Sequence, residues 1–93
     1  MRKIETTAKF KKDYKREQKG QHRVGLAELL EKIVTKLAQD KVLPPKFRDH
    51  ALIGNWTDHR DCHLKPDLVL IYRKPDEHRI QLVRLGSHAE LSL

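Results

Sequence analysis

Asp49–Arg73 reads DHALIGNWTDHRDCHLKPDLVLIYR, and along it the apolar residues give up helical spacing and begin to alternate. Residues 49–53 are expected as a short strand, Gly54-Asn55 as a turn and residues 56–65 as a longer strand. Pro66-Asp67 is a turn dipeptide, and Leu68–Arg73 has enough branched and aromatic side chains for a central strand. The same stretch carries His50, His59, His63, Asp58, Asp61, Asp67 and the chain's single Trp56 and Cys62. No other segment is so dense in groups that move protons.

Towards the C-terminus, Lys74–His78 turns the chain, Arg79–Leu85 is the last strand, and Gly86 releases Ser87–Leu93. Towards the N-terminus, Asp40–Phe47, with Pro44-Pro45, is a loop that ends a helical half. Leu26, Leu29, Leu30, Ile33, Val34 and Leu37 follow helical spacing, which predicts a helix starting near His22–Val24. Gly20 separates it from a first helix over Ala8–Gln18, whose large apolar residues are Phe10 and Tyr14, with Thr6-Thr7 as candidate caps and residues 2–5 as a short strand. The expected fold is α+β: one domain over residues 1–93, an N-terminal antiparallel helical hairpin packed on one face of a small, mostly antiparallel sheet.

With 93 residues, the chain buries only a little over ~60% of its unfolded surface, so its core is small. Twenty Lys and Arg against 13 Asp and Glu leave a formal charge of +7, which suits RNA, DNA, an acidic protein or an anionic surface as partner. Lys9, Lys11, Lys12, Lys15, Arg16 and Lys19 surround the aromatic stripe of the first helix and make either a solvated face or a phosphate-docking one. No apolar run approaches the ~20 residues of a membrane span and no stretch reads as a signal peptide. One cysteine gives no disulfide framework, so a cytoplasmic location is expected.

Consecutive hairpins put their turns at alternate ends of a sheet. His63 and Asp67 therefore fall at one end, and Arg84 and His88 return to it, while Asp76 lies at the other. A two-residue Pro66-Asp67 loop pairs His63 with Leu70; pairing Tyr72 with Ile80 then sets Leu70 opposite Leu82 and Leu68 opposite Arg84. On that register His63, Leu82 and Arg84 share a face. A tight turn at Gly54-Asn55 sets His50 opposite His59.

Several chemistries compete for these residues. His59, Asp61 and His63 alternate on one strand face as metal ligands would, but no fourth ligand has recognisable spacing and Cys62 faces the other way. Cys62 fits a small apolar strand residue better than a nucleophile. Asp67 suits a turn after Pro66, His59 and His78 read as surface residues, and Trp56 as core or rim. The remaining chemistry is metal-free and cofactor-free cleavage of RNA. It needs a base for the 2′-hydroxyl, an acid for the departing 5′-oxygen and a cation on the charge between them. Histidine serves both proton roles because its unperturbed pKa of ~6.5 leaves both forms populated near neutrality. His50, His63, Asp67, Arg84 and His88 supply such a set.

Lys46-Phe47-Arg48-Asp49-His50, Leu52-Ile53-Gly54-Asn55-Trp56, Arg60-Asp61-Cys62-His63, Pro66-Asp67, Leu70-Ile71-Tyr72 and Arg84-Leu85-Gly86-Ser87-His88-Ala89 resemble the YafQ branch of the RelE/ParE toxin superfamily. The resemblance covers nearly the whole chain. It implies the toxin of a type II toxin-antitoxin system, a ribosome-dependent endoribonuclease that cuts mRNA in the ribosomal A site. Such a toxin is a monomer on its own, is neutralised by a cognate antitoxin, with which it forms a larger assembly, and has no membrane partner. The family's functional residues match His50, His63, Asp67 and His88, and its phosphate-contacting arginine matches Arg84. His88 is then the general acid, Arg84 stabilises the phosphate, and Asp67 with His63 or His50 handles the 2′-hydroxyl proton. Leu68 replaces a tryptophan of the family, and Leu91-Ser92 its C-terminal aromatic, which implies altered base stacking or codon preference. On the same resemblance the basic first helix contacts ribosomal RNA. The alternative is a non-enzymatic, ParE-like gyrase poison, which needs no convergence of His63, Asp67 and His88.

Overall fold

In the computed structural model, which describes residues 1–93, strand β1 (Lys3–Thr6) leads into helices α1 (Ala8–Glu17) and α2 (Leu26–Ala38). A 3-10 turn over Pro45–Phe47, the two-residue strand β2 (His50–Ala51) and a second 3-10 turn over Gly54–Trp56 follow. Strands β3 (Arg60–Lys65), β4 (Leu68–Asp76) and β5 (Arg79–Gly86) complete the chain. The sheet order is β1-β5-β4-β3-β2, parallel at β1–β5 and antiparallel elsewhere. The expected α+β class holds.

Local chemistry sets the helix ends. The Thr7 hydroxyl accepts the Phe10 N–H at 3.0 Å, capping α1, and donates to the Val83 carbonyl at 2.8 Å, tying the cap to β5. Helix α2 begins at Leu26 rather than at His22–Val24, because Gly25 takes φ 68° and so breaks the helical path just before it. Leu26, Leu30, Ile33, Val34 and Leu37 are buried as their spacing predicts, with Leu29 at the margin.

Alternation along β4 divides the interior. Leu68, Leu70 and Tyr72 enter the main core with the helices, together with Leu64, Leu82, Leu85 and Cys62. Val69 and Ile71 face the other way and are covered by Leu91 of the C-terminal tail, with Leu52, Trp56 and Val83 beside them.

The strand registers correct several expectations. The Pro66-Asp67 loop does have two residues, since Lys65 pairs with Leu68, but a bulge around Leu64 sets His63 opposite Val69 instead of Leu70. In the next hairpin β4 runs on to Asp76, so only Glu77-His78 turn, and Tyr72 pairs with Leu82 instead of Ile80. Leu70 then pairs with Leu85, and Arg84 with Ile71 rather than Leu68. His63 consequently shares the face of Val69 and not that of Leu82. The strand expected over 56–65 starts only at Arg60, because Trp56 closes a 3-10 turn and Asp58 adopts φ 70°. His50 pairs with Asp61, two residues beyond the expected His59.

Candidate functional site

Three elements bring the histidines together. Strand β2 carries His50 and β3 carries His63 on the face opposite the helices, since His50 pairs with Asp61, which alternates with His63. His88 arrives from the tail after Gly86, which is paired with Val69 and so with the row that holds His63. The tail is folded by a reciprocal cap: the Ser87 N–H donates to Glu90 Oε1 at 3.0 Å, and the Glu90 N–H to Ser87 Oγ at 3.1 Å. Buried Leu91 anchors it. The His63 and His88 rings meet edge to face at 4.9 Å, and His50 and His63 lie 6.4 Å apart.

Asp67 belongs to His88. Its Oδ1 is 2.9 Å from Nδ1 of His88 and also accepts the His88 backbone N–H at 3.2 Å. The His88 side-chain hydrogen bond, with the backbone one, holds the Asp67 carboxyl below the usual carboxylate range. Asp67 thus contacts His88, the residue expected as the acid, rather than His63 or His50. Nδ1 of His88 is fixed as the nitrogen facing the carboxylate, and Nε2 is the one left for a ligand.

His63 is shifted the other way. Burial pushes its imidazole down; Asp61 pulls the other way, and the nearby charges of His88, Arg48 and His50 add to the fall. The shift favours the neutral ring, the form that accepts a proton. His50 has Nδ1 2.7 Å from the Arg48 carbonyl, so Nδ1 carries the proton it donates there and Nε2 is left free.

In the sequence Asp61 stands out only as a possible metal ligand. It is 3% exposed beneath the three imidazoles. Its Oδ1 comes within 3.1 Å of His50 Nδ1, yet makes no hydrogen bond, because that N–H is directed at Arg48. Burial raises the Asp61 carboxyl, and His50, His63 and His88 oppose the rise.

Arg84 is placed elsewhere. Its Nε donates to Asp13 Oδ2 at 2.7 Å and its Nη2 to Oδ1 at 3.3 Å, and it lines neither cavity at the histidines. Asp13 is 4% exposed, and besides Arg84 it accepts from Arg16 at 2.9 Å and from the Leu85 N–H at 3.0 Å. Burial would raise its carboxyl; the hydrogen bonds from Arg84 and Leu85, the Arg84 charge and the Arg16 bond bring it below the usual range instead. Arg16 is likewise committed, to Asp13, Glu17, Glu90 and the Leu85 carbonyl. Of the expected docking residues Lys9, Lys11, Lys12 and Lys15 are exposed and in no ion pair, whereas Arg16 is a structural cation. Asp13 had a legible signal: it lies three residues after Phe10 and four before Glu17, on the same buried stripe.

The other candidates fall away from the cluster. Cys62 is fully buried in the main core, and burial pushes its thiol up. His59 packs edge to face on Trp56 at 5.3 Å. No group of three or more His, Cys, Asp or Glu side chains is arranged to hold a metal ion. Asp49 accepts from buried Tyr72 Oη at 2.6 Å and from Arg60 at 3.2 Å, which anchors the start of the histidine stretch to the sheet.

A family model described as bacterial toxin of type II toxin-antitoxin system, YafQ, matches residues 2–93. The chain belongs to the YafQ toxin family. The mRNA interferase toxin YafQ of Escherichia coli K12 is 35% identical over 91 residues, 97% of this chain and 95% of that one. Among solved structures, a metal-bound toxin from Helicobacter pylori is 49% identical with a TM-score of 0.87, covering 98% of this chain and 99% of that one. YafQ in the E. coli DinJ-YafQ complex is 36% identical with a TM-score of 0.83, covering 98% of both chains. The α+β fold is therefore that of YafQ toxins, over the whole chain.

Proposed function

We propose that the chain is an mRNA interferase, a ribosome-dependent endoribonuclease that cuts mRNA in the A site by metal-independent acid–base chemistry. The observation that carries this reading is the edge-to-face contact of His63 with a His88 whose Nδ1 is held by Asp67. His63 takes the 2′-hydroxyl proton, with His50 Nε2 as the second acceptor within the cluster. The 2′-oxygen attacks phosphorus, the bond from phosphorus to the 5′-oxygen breaks, and His88 Nε2 gives that oxygen its proton. The products are a 2′,3′-cyclic phosphate and a 5′-hydroxyl. Asp67 holds the His88 ring through Nδ1 and so aims Nε2 at the leaving oxygen, and a positioned acid or base contributes ~10² to 10⁴-fold.

Arg84 enters this reading as a scaffold for β5, since Asp13 already neutralises it. The name mRNA interferase, carried by the E. coli relative, supports the activity, and the DinJ-YafQ complexes support a cognate antitoxin as partner. Lys9, Lys11, Lys12 and Lys15 form the face that docks on ribosomal RNA. For ~4 phosphates the log-log salt slope of ribosome binding is near −3 by the single-strand coefficient. No helix is long and apolar enough to cross a membrane.

The test is purified protein on programmed ribosomes with mRNA 3′ ends mapped. Cuts in the A-site codon bearing cyclic phosphates, suppressed by the antitoxin, support the reading. Intact mRNA together with inhibited supercoiling by gyrase would replace it with the ParE-like one.

A further inference from the structure

His63 and His88 form a wall between two cavities of different chemistry. On one side lies a pocket of about 470 Å³ whose apolar lining includes Leu52, Ile53 and Trp56. On the other lies a groove of about 580 Å³ between α2, the Pro45–Phe47 turn and the end of β3. Its lining includes Lys32, Lys46, Arg48 and Lys65, and no Asp or Glu. Strand β2 pairs only with Arg60 and Asp61, so the His63–Lys65 edge of β3 that floors this groove is left uncovered.

The four cations are not equivalent. Lys65 Nζ donates to the His22 and Val24 carbonyls, both at 3.2 Å, and fastens the link between the helices. Lys32, Lys46 and Arg48 are exposed and join no ion pair, in contrast to Arg2, Arg16, Arg60, Lys74, Arg79 and Arg84, each of which has a carboxylate. Lys46 rests over the Phe47 ring at 5.1 Å, which holds it at the groove without neutralising it. Three unpaired cations gathered on one concave surface repel each other and favour an anionic occupant.

We infer that this groove is the track of the RNA backbone beside the cut, with Lys32, Lys46 and Arg48 each neutralising a phosphate. The inference rests on the nuclease reading: a phosphodiester placed at His63 and His88 has ribose-phosphate on both sides of it, and only this side of the wall is cationic. The opposite pocket, with its apolar lining and Trp56, suits a base rather than a phosphate. An acidic peptide meets the same charges, but nothing about it requires the groove to end at the proton-transfer pair.

The experiment uses the full chain and a 2′-deoxy tetranucleotide, which cannot be cut. Binding is followed by fluorescence anisotropy across a range of NaCl and by backbone amide NMR. Expected are amide shifts concentrated around Lys32 and Lys46–Arg48, and a log-log salt slope that loses about 0.7 for each of Lys32→Gln, Lys46→Gln and Arg48→Gln. The three side chains make no ion pair, so the triple variant should melt with the parent; if it does not, the single variants decide the slope. An unchanged slope, or shifts confined to α1, overturns the groove. So does an Asp/Glu-rich peptide losing its binding to the variants while the tetranucleotide keeps its own. Failure of the nuclease reading shows separately, as His88→Ala that cuts mRNA like the parent while the groove variants still lose the tetranucleotide.

Discussion

Asp67 Oδ1 stands 2.9 Å from Nδ1 of His88 and also receives that residue's backbone N–H, so one carboxylate sets both the ring and the chain position of the proposed acid. Asp67→Asn keeps the size but removes the charge. Single-turnover cleavage should fall by about 10² or more, towards the loss of a positioned acid. Because the Asp67 carboxyl is held below the usual range, its help is present at neutral pH and is lost only as pH falls through that lowered value. A rate within twofold of the parent would remove Asp67 from the mechanism.

Asp61→Asn separates stability from activity. The buried Asp61 carboxyl is raised, so ionising it costs folding free energy as pH rises through its range, and the neutral isostere avoids that cost. The variant should melt at or above the parent's temperature at pH 7. Its acid limb should move to lower pH, because Asp61 is the group that pulls the His63 pKa upward. A lower melting temperature with an unchanged pH profile would show that Asp61 serves packing alone.

Asp13→Asn acts on the scaffold. It leaves Arg84 and Arg16 without their shared carboxylate and weakens the bond to the Leu85 N–H. Breaking a buried ion pair costs 3–5 kcal/mol, and since both guanidiniums reach solvent the expected loss is nearer to ~2 kcal/mol. Asp13's lowered carboxyl contributes stability above its unfolded pKa, lost as pH falls through the folded one. The difference between parent and variant in denaturant midpoint should therefore shrink in acid; a constant difference would contradict the ion-pair account.

Cys62→Ala should leave cleavage within twofold of the parent and cost about 1 kcal/mol, the scale of a small core truncation. The thiol is fully buried and pushed up by burial, so thiol reagents should not label the native chain. Fast labelling with loss of activity would return Cys62 to the candidates.

Most of the architecture could be read from periodicity, because α2 and β4 bury the residues their spacing marks, Leu29 alone staying at the margin of the core. The end of the sheet at which His63, Asp67 and His88 meet could be read from hairpin order alone. Facing was harder. A bulge at Leu64 moved His63 by one partner, and side chains change face with each such step, so the expected company of Leu82 was lost. Arg84 was drawn away by Asp13, a long-range pairing that no local pattern encodes, although Asp13's place on the Phe10 stripe marked it as buried. Asp61 was visible as a residue but not as the carboxylate under three histidines, since that depends on His50 pairing with it across a two-residue strand.

The proposed role of His88 is to deliver the proton to the leaving oxygen. The most direct measurement is single-turnover cleavage of A-site mRNA by His88→Ala on programmed ribosomes, at matched ribosome occupancy. Expected is a fall of at least ~10² in rate with binding retained. Cleavage at the parent's rate, at the same codon and with the same cyclic-phosphate ends, would contradict it.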